Sequence, residues 1–295
     1  MRQAFAGWSR HTPLLVLLLA LLLSATLSLV TAELVRQQQQ TRFDREVEGH
    51  VRTLSEQVAA YRNLLSATRA DWLYHSGLPS LQSFSAFVDE LDVEERYPGV
   101  QGLGFVMWVP DGLSAAALQE LRRKVTPDYA VWRGPSPQAA ATPIALLAPQ
   151  NGENRAALGF DMYSEPLRRQ AFDRARQVND VQATPGLDLV QRNGAGEPLR
   201  GFVLTLPVWS GPGSKEPLQG FLYLVVRADQ FLEALDRPSS AEGLSIRTEL
   251  GGRPLGQVSR VDQVAYRQTR RLSLAGQPWQ VTYEAGPSFG KDLAA

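Results

Sequence analysis

The distribution of apolar and polar positions changes twice along the chain. Residues 14–30 are apolar or carry a small hydroxyl, with no charge among them. With Thr12, Pro13, Thr31 and Ala32 the run is about 21 residues, roughly 31 Å of helix at ~1.5 Å per residue, enough to cross a bilayer core. Ser24, Thr26 and Ser28 fit such a span because their hydroxyls can bond carbonyls of their own helix. Beyond Glu33 the apolar positions become one-sided. Val47, Val51, Leu54, Val58, Tyr61, Leu65, Thr68 and Trp72 are spaced alternately four and three apart, a heptad seam on a long helix whose other faces carry glutamines and charges. Such a seam packs on the chain's own domain, or pairs two copies, or does both on different segments, and membrane tethering raises the effective concentration for pairing. A homodimer through this stalk is therefore expected.

After Gly77 and Pro79 the pattern shortens into alternating helices and strands. A helix is predicted over 83–95 with Phe84, Phe87, Val88 and Leu91 on one side, then a strand at 100–109 closed by Pro110, Asp111 and Gly112. Ser114 caps a helix reaching Lys124. Short strands are predicted at 129–132 and 144–148. Ser164 reads as the N-cap of a helix opened by Glu165 and Pro166 and reaching Gln177. Strands at 186–191, 201–209 and 218–227 form a meander, and a helix at 229–235 closes the unit. Past 237–240 come strands at 244–250, 264–274 and 279–283, with Gly251 and Gly252 making a turn. The fold class is α+β, with helices segregated from antiparallel sheets. So few strands make a poor independent domain, and the second sheet is expected to borrow the stalk helix as its missing layer. The predicted division is 1–13 cytoplasmic, 14–32 transmembrane, 33–76 stalk, 77–237 membrane-distal domain and 238–295 membrane-proximal sheet.

Charge refines this picture. Arg2 and Arg10 precede the apolar run with no acid beside them, which places Met1 in the cytoplasm and the bulk of the chain outside the inner membrane. A cleaved signal peptide is the rival reading, since Val30, Thr31 and Ala32 resemble a cleavage site, but its apolar core usually has only ~7 to 15 residues. Thirty basic and thirty acidic residues cancel, which argues against a nucleic-acid partner relying on a broad basic face. No cysteine is present, so disulfides, thiolate metal sites and cysteine nucleophiles are excluded. Asp89, Glu90, Asp92, Glu94 and Glu95 read as a solvated face and not as a metal site. The three histidines, His11, His50 and His75, stand beside the membrane or on the stalk. Gly102 and Gly104 sit inside a strand without the rest of a dinucleotide fingerprint, which signals close packing. No nucleophile elbow or phosphate loop is present, so an enzyme is not expected and no cofactor is implied.

Five blocks carry a resemblance: 97–105 (YPGVQGLGF), 159–176 (GFDMYSEPLRRQAFDRAR), Ala183 and Thr184 with Leu189, Val190 and Gln191, 201–209 (GFVLTLPVW), and Gln219, Gly220 and Phe221. In order and spacing, from about residue 42 to 235, they resemble the CHASE domain family, the extracytoplasmic sensor regions of bacterial receptors and of plant cytokinin receptors. The resemblance implies a long N-terminal helix, a membrane-distal PAS-like domain that holds a small molecule, and a membrane-proximal PAS-like domain built from the helix and the last strands. It also implies that these residues are the sensory piece of a longer receptor ending in a histidine kinase or diguanylate cyclase.

Within the second block Arg168, Phe172 and Ala175 share one helix face, and a cation on an apolar face must snorkel, pair with an acid or meet an anion. At the position matching Arg168 the plant receptors carry an aspartate that bonds an adenine ring, so the resemblance with a cation here points to a small anionic ligand, such as a carboxylate, in place of a purine. A salt bridge from Arg168 to Asp161 or Glu165 is the alternative. The family comparison adds Thr184, Val190 and Thr205 to the pocket lining, while Tyr163 and Trp108 fit either the pocket or the core. The function expected is a small-molecule sensor domain that passes its signal through the stalk helix. The alternative is an anchored scaffold that recruits a partner through the heptad seam.

Overall fold

The computed structural model describes residues 8–73, 77–211, 217–236 and 243–289, with side chains from residue 13. Arg2, His75, Ser76, the loop at 212–216 and the boundary at 237–240 lie outside the described residues, as do the side chains of Arg10 and His11.

Helix α1 (Trp8–Trp72) is continuous over 65 residues, about 98 Å at 1.5 Å per residue. Its leucines from Leu14 to Leu34 are exposed all round, and this is the one helix among the described residues long and apolar enough to cross a membrane. Thr26 and Thr31 donate their hydroxyls to carbonyls one turn back, at 2.9 Å from Leu22 and Leu27. Farther on the helix becomes one-sided, and the heptad positions go into the chain's own core: all are buried except Val51, which is half-buried. The seam is thus covered by the chain itself, which removes it as the contact between two copies.

Two antiparallel sheets cover that seam in succession. The first contains β1 (Val100–Met107), β3 (Ile144–Ala148), β5 (Gln182–Ala183), β6 (Leu187–Arg192), β7 (Pro198–Trp209) and β8 (Leu218–Arg227). The strands run in the order β3-β1-β8-β7-β5, with β6 also on β7. Between them fall α2 (Leu81–Glu90), α3 (Val93–Arg96), α4 (Ala115–Lys124), the short parallel pair β2 (Trp132–Arg133) and β4 (Phe160–Asp161), α5 (Gly152–Ala157) and α6 (Pro166–Val178). After α7 (Ala228–Asp236) the second sheet follows, with β9 (Leu244–Leu250), β10 (Arg253–Val258), β11 (Tyr266–Leu274) and β12 (Gln277–Ala285) in the order β10-β9-β12-β11.

The first sheet is buried on both faces, as the unbroken apolar runs of β7 and β8 require. On one face Leu103, Phe105, Phe202, Leu204, Leu222 and Leu224 join the core that contains Tyr61, Leu65 and Trp72 of α1. Trp72 stacks on Phe105 with centroids 4.3 Å apart. On the other face Val106, Val203, Phe221, Tyr223 and Val225 meet Phe172 and Ala175 of α6, with Phe160 and Met162 beside them. The second sheet packs on the earlier part of α1, nearer the apolar segment: Phe43 contacts Tyr266 and Phe289 at 5.7 and 5.9 Å.

Several local expectations are corrected. The helix predicted over 83–95 breaks at Asp92, which adopts a left-handed conformation (φ 48°) and separates α2 from α3. Tyr129 is outside any strand and is buried, its hydroxyl donating to the Ile144 carbonyl at 2.8 Å. Ser164 does not cap α6, because it lies in a 3-10 turn (Met162–Ser164) and Glu165 takes the cap position. Strand β10 lies in a stretch read as connection; Pro254 and Gly256 inside it weaken the strand pattern, and it survives as an edge strand, where proline is tolerated.

Candidate functional site

Helix α6 lies across the face of the first sheet that α1 does not cover, contacting β7 and β5. Pro166 in the first turn fits because no helical partner exists there for its missing N–H. Glu165 accepts the N–H groups of Leu167 and Arg168 at 3.2 and 2.9 Å, satisfying two of the donors that a helix start leaves free. The helix ends at Asn179, which takes a left-handed conformation (φ 53°). Its buried stripe is Arg168, Ala171, Phe172 and Ala175, so the predicted face is the inward one.

Arg168 is only 4% exposed. One terminal nitrogen lies 3.4 Å from Glu165 Oε2, and the other donates to the Asp188 carbonyl at 3.1 Å. Its guanidinium carbon sits 5.5 Å from the centre of the Phe160 ring. Of the two readings of this cation, the pair with Glu165 is therefore present, but it leaves Nε without a hydrogen-bond partner among the described residues. Burial pushes the Arg168 pKa down, and the Glu165 charge partly restores it.

Close by, Tyr223 of β8 is fully buried, its hydroxyl likewise without a partner among the described residues. Burial drives its pKa well above the usual tyrosine range, with a smaller push from Tyr129, while Arg168 opposes the rise. Thr205 stands directly opposite Tyr223 across the β7–β8 pair, and its hydroxyl is also buried and unpartnered among the described residues. Two further atoms of this kind, Thr142 Oγ1 and Asp161 Oδ2, flank the same layer. Asp161 is fully buried, with its other oxygen accepting the N–H groups of Thr142 at 2.8 Å and Tyr163 at 3.2 Å. Arg133 approaches the free oxygen at 3.7 Å.

The remaining expected residues divide into two groups. Trp108 and Tyr163 form a half-buried aromatic rim, edge to face with centroids 5.3 Å apart. The Tyr163 hydroxyl donates to Asp173 Oδ1 at 2.8 Å, and burial, reinforced by that bond, pushes its pKa up to about 12. Arg176 lies over the Trp108 ring at 5.2 Å, and Phe221 links the rim to Phe172. Thr184 and Val190 belong to the sheet edge. The Thr184 hydroxyl accepts the Val203 N–H at 3.0 Å, and Val190 is half-buried beside Leu189.

The structure thus brings Arg168 and Thr205 together with Tyr223, which the sequence reading missed. A signal existed: 218–227 is apolar on both faces, and a tyrosine in such a strand must bury its hydroxyl. The layer is filled by side chains, Phe172 against Phe221 at 4.7 Å and Phe160 against Arg168. A groove of about 840 Å³ lies elsewhere, lined by Glu94, Gly99, Gln101, Glu153, Arg227 and Glu233.

The family model that matches the chain is the CHASE domain, over residues 79–254, more than half of the 295. Comparison with curated proteins gives no match. In fold the chain is similar to an extracellular ligand-binding receptor from Desulfohalobium retbaense DSM5692, with TM-score 0.54 and 13% identity, over 83% of this chain and 40% of that one. It thus spans less than half the length of that receptor. It is also similar to the periplasmic sensory domain of the Campylobacter jejuni chemoreceptor Tlp1, with TM-score 0.50 and 9% identity, over 84% of this chain and 95% of that one. At these identities the likeness is one of fold.

Proposed function

The chain belongs to the CHASE domain family, and from that premise we propose that it is the extracytoplasmic sensor region of a receptor, anchored in the inner membrane by residues 14–32. On this reading residues 77–237 form the membrane-distal ligand-binding domain and 238–295 a membrane-proximal sheet completed by the stalk, and the module is not itself catalytic. The ligand is a small anion, such as a carboxylate, taken between α6 and the first sheet.

One observation carries the proposal. Arg168 Nε, the Tyr223 hydroxyl and the Thr205 hydroxyl are all buried under α6 with hydrogen-bonding capacity unused among the described residues. Each such orphan costs about 1–3 kcal/mol, and a bound acceptor group would recover much of that from the three donors together. A guanidinium edge beside a phenol suits a carboxylate or similar oxyanion. Because Phe160 and Phe172 fill the layer, admitting the ligand requires them to move, and α6 or the β2–β4 pair moves with them. The sheet under α6 rests with its other face on α1, so a shift there reaches the stalk by direct packing. A scaffold working through the heptad seam finds less support, since the sheets cover that seam. A stalk pair would have to use the exposed face that carries Arg45, Arg52 and Glu56.

The test is a thermal-shift screen of the full chain in detergent against carboxylates, amino acids and purines, followed by calorimetry on the hits. Arg168→Ala is expected to weaken a carboxylate by roughly 10- to 150-fold, the ~1.5–3 kcal/mol of a charged hydrogen bond, and Arg169→Ala to leave it unchanged. Equal affinity in wild type and Arg168→Ala would remove the anion site.

A further inference from the structure

His50 lies on α1 one helical turn before Leu54, facing the second sheet, and only 6% of it is exposed. It is a titratable residue on the element that also enters the membrane, placed where that element packs against its last structural layer. Its surroundings are apolar: Leu54 on its own helix, Leu232 and Leu235 of α7, Ile246 of β9, Val258 of β10 and Val281 of β12. These side chains leave a void of only about 10 Å³, no larger than a single water needs. The Tyr283 ring meets the imidazole edge to face at 6.0 Å. Nε2 has no hydrogen-bond partner among the described residues.

We propose that the contact between the stalk helix and the second sheet is an acid-sensitive latch, held closed by neutral His50 and loosened when the extracytoplasmic medium protonates it. The mechanism follows from the neighbours. Imidazolium donates at both nitrogens and needs an acceptor for each, and Nε2 is buried with none among the described residues, so charging it inside this shell is penalised. The acids within electrostatic reach are Glu46 from α1 and Asp236 from α7. Glu48 is engaged with Arg270 of β11. Beta12 contributes the Tyr283 phenol, which burial keeps protonated, while β9 and β10 face the ring with Ile246, Thr248 and Val258, none of which titrates. Desolvation lowers the His50 pKa and outweighs the two acids. The sign follows: a histidine with a lowered folded pKa leaves stability untouched above the ordinary value of about 6.5. As pH falls below that value the open form gains, by up to tenfold per pH unit until the folded pKa is reached. Such a latch responds to acid without any occupant of the site under α6, and it sits on the same continuous helix as the apolar segment, about 27 Å beyond its end at ~1.5 Å per residue.

Two measurements on the full chain in detergent test this. With ring-labelled histidine, the NMR resonance of His50, assigned by its loss in His50→Asn, is expected to titrate below the ordinary histidine value. Titration at or above that value overturns the latch. Amide exchange of residues 43–58 is expected to speed up between pH 7 and pH 5, after correction for intrinsic rates, in wild type but not in His50→Leu. Equal acceleration in both proteins also overturns it.

Discussion

Gly104 stands on β1 opposite Tyr223 of β8. A Cβ built on it would come within 2.5 Å of the Tyr223 ring and equally close to the Leu146 carbonyl. The glycine therefore exists to let an aromatic ring lie across the strand, which is the close packing that Gly102 and Gly104 signalled from the sequence. Gly104→Ala is expected to cost about 1–3 kcal/mol, the usual range for overpacking, read as a lower urea midpoint with unchanged m-value. The ring is also what carries the orphan hydroxyl beside Arg168, so the same substitution should weaken the anion binding proposed under α6. Arg168 itself was legible as a cation on an apolar helix face. Its surroundings were less so: Glu165 is three residues away and predictable, but the Asp188 carbonyl that accepts its other end and the neighbouring Tyr223 come from strands farther along the chain.

At the scale of elements, α6 shows how one residue can serve two ends. Glu165 caps the helix and faces the Arg168 guanidinium. Ser164 fits the preferred cap chemistry better, yet its hydroxyl is taken up by the turn, donating to the Asp161 carbonyl and accepting the Gly134 N–H. Glu165→Ala is expected to lose about 1 kcal/mol for the cap and more for the buried cation left unpaired. Glu165→Gln keeps a cap oxygen and should lose less, a ranking that thermal denaturation can check. Other elements announced themselves. The stretches 144–148, 218–227 and 244–250 are apolar or alternating and end at proline, glycine or charge, and the strands match those bounds. Helix α5 did not, because its only strong signal is the Asn151 cap, which accepts the Asn154 N–H at 2.8 Å. What holds that helix is distant: Asn154 donates to the Gln101 and Pro149 carbonyls and accepts from Gln191.

Across the whole molecule, the two sheets meet through an aromatic junction and through hydrogen bonds at their edges, among them Gln277 Nε2 donating to the Ala183 carbonyl at 3.0 Å and the Ala183 N–H donating to the Ala275 carbonyl at 2.7 Å. Phe202 of β7, Phe231 of α7 and Trp279 of β12 are mutually in contact, with centroids 5.4 to 5.9 Å apart, and Tyr61 of α1 reaches Phe231 at 6.1 Å. Tyr61 also donates its hydroxyl to the Pro98 carbonyl, tying the stalk to the entrance of β1. Because this hub is shared, the extracytoplasmic part should unfold as one unit. Trp279→Ala, a truncation in the second sheet, is expected to lower stability by about 3–5 kcal/mol. It should also increase amide exchange in β7 of the first sheet; exchange confined to the second sheet would show that the two are independent.

The sequence by itself determined the apolar anchor, the long amphipathic helix, the α+β class, most strands and the family, since each is written in local periodicity or in ordered blocks. It could not decide where the heptad seam is spent, because a 4-3 stripe is satisfied equally by a second helix or by a sheet. Only the tertiary structure, by laying both sheets along α1, settled that the stripe is an internal core. The same packing put His50 in a largely apolar shell and Tyr223 beside Arg168. Local pattern can say that a side chain such as Tyr223 is buried, but which side chains distant in the chain become its neighbours is decided by packing.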